Sequence, residues 1–145
     1  MSAAVLESTP IATASTTSSS TRARWTGRVL SGIAVLFLIF DMAIKFSGAK
    51  EAVEGTTQLG WQPHHLPIIG TLGLICLVLY VIPRTAPLGA LLWTGYLGGA
   101  IATHLRVDNP LFTHILFPIY VAALIWGGLY LRDARVRNAI RAPQA

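Results

Sequence analysis

A chain of 145 residues holds one domain. With 53% hydrophobic residues, 12% charged residues and a mean hydropathy of +0.59, this one lacks the polar side chains needed to coat a water-exposed surface. A soluble binding module is therefore excluded. The formal charge of +5 does not indicate nucleic acid, because the basic residues flank apolar segments instead of sharing one face; the lipid bilayer is the partner that this arrangement fits.

Residues 1–24 are rich in Ser, Thr and Ala, without a period that could bury a face, and are expected to form a disordered tail. Arg22, Arg24 and Arg28 precede a first apolar stretch, 29–46. This stretch is long, lacks a small-x-small cleavage site and is followed by further apolar segments, so an uncleaved helix is expected and not a signal peptide. Residues 47–60 alternate charged and apolar positions over a length too short to span, as in a helix lying on the membrane surface. Three more apolar segments follow at 66–82, 88–104 and 111–131. At 1.5 Å per residue each covers ~25–31 Å, the thickness of the hydrocarbon core. Pro67 and Pro87 fall in first helical turns, Pro83 closes the second segment, and Pro118, two turns into the fourth, predicts a kink. Residues 134–145 form a basic tail. The expectation is an all-α integral membrane four-helix bundle, with 25–133 as its domain.

Eight of the eleven Lys and Arg residues (Arg22, Arg24, Arg28, Arg84, Arg132, Arg135, Arg137, Arg141) fall on one side of these spans, against Lys45, Lys50 and Arg106 on the other. The positive-inside rule then puts both termini in the cytoplasm. Lipid supplies no hydrophobic drive between helices, so small residues mark their contacts. Gly95 and Gly99 form a GxxxG pattern with Gly98 beside it, and make the third helix the expected packing element. Trp25, Trp61, Tyr80 and Tyr130 fall at predicted interfaces as an aromatic belt, while Trp93, Tyr96 and Tyr120 lie deeper. The deeper rings suit either a quinone-sized pocket or ordinary packing. Cys76, the sole cysteine, permits no disulfide and no redox pair.

Most of the remaining polar chemistry gathers on the outer side: Asp41 and Lys45 in the first helix, His64 and His65 before the second, His104 ending the third, Arg106 and Asp108 in the next loop, and His114 opening the fourth. Asp41 carries the most information. It lies ~20 Å along the helix from Arg28, inside the hydrocarbon, where a carboxylate must take up a proton or find a cation. Lys45, four residues on, and Arg106 are the candidates; such a pair reads either as a functional site or as a structural lock between helices. His104, Asp108 and His114 match no metal-binding spacing, and no metal site is assigned.

The chain resembles the DoxX-like family of small bacterial membrane proteins from about residue 28 to 133. The resemblance is carried by the run from Leu79 to Thr85, the run from Thr94 to Ala100, Thr103-His104-Leu105-Arg106 leading to Pro110-Leu111-Phe112 and His114, and the closing run from Trp126 to Asp133. It implies a four-helix bundle in the cytoplasmic membrane, in a family named for a subunit of a thiosulfate:quinone oxidoreductase. Where glycine and aspartate are expected before the loop proline, this chain has Asp108-Asn109-Pro110, which moves the acid by one position.

Three functions stay open at this point. One is a non-catalytic membrane subunit or scaffold for a membrane or periplasmic protein partner, the reading favoured by the lack of an assembled catalytic geometry. Another is a component of an oxidoreductase that binds quinone as its cofactor near Asp41, His104 and His114. The third is a carrier of a small molecule or ion, with Asp41 as its coupling acid.

Overall fold

The computed structural model describes residues 21–141. Every regular element among them is helical: α1 (Thr21–Ser47), α2 (Lys50–Gln58), α3 (Leu66–Val81), α4 (Ala86–Arg106), α5 (Phe117–Arg132) and α6 (Ala134–Arg141). A short 3₁₀ turn, Pro63–His65, leads into α3, and a wide π turn, Leu111–Ile115, leads into α5.

The stops follow from local chemistry. Gly48, at φ +63°, takes the left-handed position that ends α1, and the Ser47 hydroxyl accepts a hydrogen bond from the Ala49 N–H. Pro67 and Pro87 open α3 and α4, where the missing N–H costs nothing. Thr85 Oγ1 donates to Leu79 O at 2.8 Å, closing the tight 82–85 turn.

Helix α1 packs against α5 and α3, and α4 packs against α3 and α5. The closest backbone approaches lie at the end where α1 begins and α5 stops. A Cβ on Gly27 would sit 2.7 Å from Arg132 N and 2.9 Å from Gly128 O, and one on Gly128 would sit 2.5 Å from Ser31 Oγ. Any side chain at either position pushes α1 and α5 apart. Gly89 plays the same part between α4 and α3, where a Cβ would collide with the backbone of Tyr80. Tyr80 is fully buried; its hydroxyl donates to Ile125 O at 2.9 Å and accepts from Ser31 Oγ at 3.1 Å, tying α3 to α5 and α1. The Arg132 guanidinium lies over its ring at 5.1 Å. Trp93, Leu38, Ile125 and Leu129 complete the largest buried side chains. Leu36, Phe40, Leu91 and Phe112 point outward, apolar surface of the kind that lipid covers.

Several expectations are corrected. Residues 21–24 belong to α1, and the expected disorder of residues 1–20 lies outside the described residues. Part of the basic tail folds as α6, an amphipathic helix that buries Val136. Three helical stretches, Thr21–Ser47, Pro63–Val81 and Leu111–Arg132, are long and apolar enough to cross a membrane. Helix α4 has the length, but its glycines, Thr94, Thr103, Trp93 and Tyr96 dilute its apolarity. Pro118 makes no kink inside a long helix: the π turn precedes it, so it falls in the first turn of α5. Tyr80 is no interfacial anchor, since its hydroxyl is satisfied inside the protein. The GxxxG glycines do not hold helices together within the chain either, because a Cβ at Gly95, Gly98 or Gly99 meets no atom within 4 Å. A helix does form within 47–60, as α2, with none of its residues buried.

Candidate functional site

At the end of the molecule that carries α2, the helices enclose a cavity of about 490 Å³. Its walls come from five stretches of chain. Helix α1 supplies Phe37, Leu38, Asp41 and Lys45; α3 supplies Leu66, Ile69 and Leu72; and α4 supplies Trp93, Gly95, Tyr96, Gly99, Thr103 and His104. His114, Phe117, Pro118 and Val121 come from the π turn and α5, and Thr56, Leu59 and Trp61 come from α2 and the loop behind it. The volume exists because Gly95 and Gly99 present no side chain here. Small residues in α4 thus open space instead of closing a helix contact.

The polar groups keep to this end. Asp41 and Lys45, one helical turn apart, share the inward face of α1 with Leu38 and Met42, and the ammonium donates to Asp41 Oδ2 at 2.5 Å. The pair is half-buried, with 19% of the lysine side chain and 35% of the aspartate exposed. A carboxylate at this depth is tolerated because a cation neutralises it. His104 ends α4, where Asn109 Nδ2 donates to its Nδ1 at 2.8 Å, which fixes the proton of the neutral ring on Nε2. His114, in the π turn, lies with its ring centroid 5.4 Å from that of His104, and its Nδ1 bonds Thr113 Oγ1 at 2.8 Å. The π turn carries His114 beside the end of α4, and windings of this kind are frequent at functional sites.

Asp41, Lys45, His104 and His114 are therefore brought to one cavity. Arg106 and Asp108 are not. The Arg106 guanidinium reaches back to donate to Leu59 O at 2.5 Å, holding the α2 loop over the cavity, and Asp108 is an exposed loop residue at φ +50°. His64 and His65 lie outside the wall, their rings tilted against each other at 4.1 Å, with His65 edge-on to Trp61 and its Nδ1 accepting from Gln62 N–H. Among the described residues no three His, Cys, Asp or Glu side chains group as a metal site.

Of the deep rings that the sequence singles out, Trp93 and Tyr96 line this wall. Trp93 is 1% exposed, and its indole Nε1–H is buried without a hydrogen-bond partner. Tyr96 packs edge-on against it, ring centroids 5.0 Å apart. Trp93, Tyr96, Ala100 and Thr103, spaced three and four apart on α4, share one helix face.

At the opposite end, outside the apolar spans, Asp133 is gripped by Arg135 at 2.8 Å, and this contact holds its carboxyl below the usual carboxylate range. Arg135 also donates to Pro83 O at 2.5 Å, fastening the start of α6 to the α3–α4 turn.

No curated protein and no solved structure matches the chain. The model of the DoxX-like family matches residues 29–128, a stretch that contains every residue lining the cavity, from Phe37 to Val121. With that match and three helical stretches apolar enough to span a bilayer, the chain is a membrane protein that belongs to the DoxX-like family.

Proposed function

We propose that this chain is a four-helix bundle of the bacterial cytoplasmic membrane, crossing it four times with both termini inside. In this reading it is a non-catalytic subunit that holds a small lipophilic molecule in its outer-half cavity, for a membrane or periplasmic protein partner. The carrying observation is the cavity itself: mostly apolar walls contributed by α1, α3, α4 and α5, with a few polar groups converging at one end, the usual build of a small-molecule site. The 21 residues of α4 cover ~31 Å, long enough to cross, and its lower apolarity belongs to the helix that faces the cavity. The eight basic residues on the termini side support the orientation.

The deciding experiment is organic extraction of the purified full chain, followed by mass spectrometry. A lipophilic molecule near one per chain is expected, and it should be lost from Gly95→Leu, which fills the cavity. Recovery of bulk lipid alone, equal in both proteins, overturns the reading. Reporter fusions at residue 145 and within 105–110 test the orientation, and a periplasmic C-terminus refutes it.

One observation favours a second reading, a quinone-linked oxidoreductase component: the rings of Trp61, Trp93 and Tyr96 all line the cavity, and aromatic walls suit a flat ring. Ultraviolet difference spectra of the extract before and after borohydride distinguish a quinone from any other lipophile.

A further inference from the structure

Charge is balanced at the cavity end and unbalanced at the other. Lys45, Lys50 and Arg106 share their end with Asp41, Glu51, Glu54 and Asp108, and both lysines form ion pairs there, with Asp41 and Glu54. At the end where α1 begins, eight arginines meet one described carboxylate, Asp133, and Arg135 occupies it. Arg24, Arg28 and Arg84 are exposed, and their side chains make no ion pair or hydrogen bond among the described residues. The anion that would complement them has to come from outside the chain.

Helix α6 is fixed at this same end. Arg135 donates to Pro83 O, Arg137 donates to Tyr130 O at 3.4 Å, and Arg141 Nε donates to the Tyr130 hydroxyl at 3.0 Å. Three arginines thus fasten a helix in which one residue, Val136, is buried. Ile140, one turn further along the same face, is 64% exposed. The face that meets the bundle at Val136 therefore continues as apolar surface beside guanidinium groups. Trp25, between Arg24 and Arg28, is 63% exposed as well. Apolar and amphipathic side chains among arginines, where helices able to cross a membrane begin and end, suit a surface at headgroup level.

We propose that the start of α1, the α3–α4 turn and α6 together form a contact surface for anionic phospholipid of the adjoining leaflet. Arg24, Arg28, Arg84 and Arg141 meet the phosphates, and Ile140 enters the acyl chains. The excess of arginine selects the partner: a zwitterionic headgroup brings an ammonium of its own, whereas phosphatidylglycerol offers an uncompensated phosphate, which a guanidinium pairs in bidentate fashion. The proposal requires this end to lie at the membrane surface, and depends neither on the occupant of the cavity nor on the side of the membrane that the end faces.

The test reconstitutes the full chain in phosphatidylcholine vesicles with spin-labelled phosphatidylglycerol or spin-labelled phosphatidylcholine, and reads the immobilised fraction of each by electron paramagnetic resonance. Phosphatidylglycerol should associate roughly 3- to 5-fold more strongly, the order of one arginine at an anionic surface. In 1 M sodium chloride, where screening acts within ~3 Å, the preference should fall toward unity. Arg24→Gln combined with Arg28→Gln should at least halve it while leaving the phosphatidylcholine signal unchanged, which certifies the fold; Lys50→Gln should leave both lipids as they were. A bimane label at Ile140→Cys, in a Cys76→Ala background, should be quenched by lipid brominated along its chains. Equal association of the two lipids, or a preference that survives the double substitution, overturns the proposal, and a label quenched by aqueous iodide alone overturns the part given to α6. Displacement by millimolar inorganic phosphate, beyond a chloride control of equal ionic strength, would assign the surface to a free anion and overturn it too. Both leaflets of the vesicle contribute to the signal, so failure here leaves the orientation and the cavity readings standing.

Discussion

The two ends of this protein use small residues in opposite ways. Where the termini lie, Gly27, Gly89 and Gly128 bring backbones into contact, and the Tyr80 hydroxyl stitches three helices together around them. Where α2 lies, Gly95 and Gly99 touch nothing, and the space they leave is walled by an ion pair, two histidines and an orphaned indole. In a bilayer, cohesion between helices comes from close packing and hydrogen bonds. Concentrating both at one end lets the other stay open without dissolving the fold. The position of a glycine relative to its neighbours, and not its motif, decides which service it performs.

The sharpest way to break this contrast is to put leucine at a glycine from each end. Gly89→Leu drives a side chain into the backbone of Tyr80 and is expected to cost more than ~3 kcal/mol, the upper range of overpacking, seen as loss of the folded species on thermal denaturation in detergent. Gly99→Leu, with open space at its Cβ, should leave the melting temperature within a degree or two of the unaltered protein. Equal damage from the two would abolish the distinction. Next in size, Tyr80→Phe removes one hydroxyl and strands the buried Ser31, at an expected cost of about 1–3 kcal/mol; a variant as stable as the parent would mean that the Tyr80 bonds are not what holds the closed end.

At the open end, Asp41→Ala leaves Lys45 without its counter-charge. The pair keeps some contact with solvent, so the expected loss is about 1–2 kcal/mol, below that of a fully buried pair. Asp41→Asn keeps the shape and removes the charge, and should cost nearly as much; a harmless Asn beside a damaging Ala would assign the effect to packing. The smallest effect belongs to Asp133. Its carboxyl is held below the ordinary value of 3.8 by Arg135, so its stabilising contribution is present above that value and disappears as acid protonates it in the folded state. Asp133→Asn should lower stability slightly at neutral pH, flatten the acid limb of the stability profile below about pH 4 and converge with the parent in stronger acid, as thermal scans across that range would record.

Much of this was legible from the sequence. Apolar runs bounded by proline and arginine locate the helices, and the depth of Asp41 together with Lys45 one turn away anticipates the ion pair. Charged groups confined to one side likewise anticipate that Asp41, His104 and His114 meet. What stayed hidden depends on distances between helices. GxxxG reads alike whether a neighbouring helix stands against it or away from it, so it points to contact at Gly95 and Gly99, while no motif marks the closer approach at Gly27. Tyr80 sits at a helix end, where a tyrosine ordinarily faces headgroups, and only the arrival of Ser31 and Ile125 from other helices turns it inward. The π turn left no trace because its extra residue shows only in the hydrogen-bond register. Arg106 and Asp108 look equivalent to the cavity residues by side and charge, yet a few residues of loop carry them past the wall.

The extensive interface between α1 and α5 joins the first described helix to the last of the apolar ones. A ribosome delivers Gly27 early and Gly128 late, so α1 must wait in the bilayer with an unfilled groove while α3 and α4, linked by the short 82–85 turn, form their hairpin. The chain thus acquires its native closure only once Gly128 has been made. A truncation short of Gly128 would withdraw the partner of α1 altogether, and not merely trim a terminus.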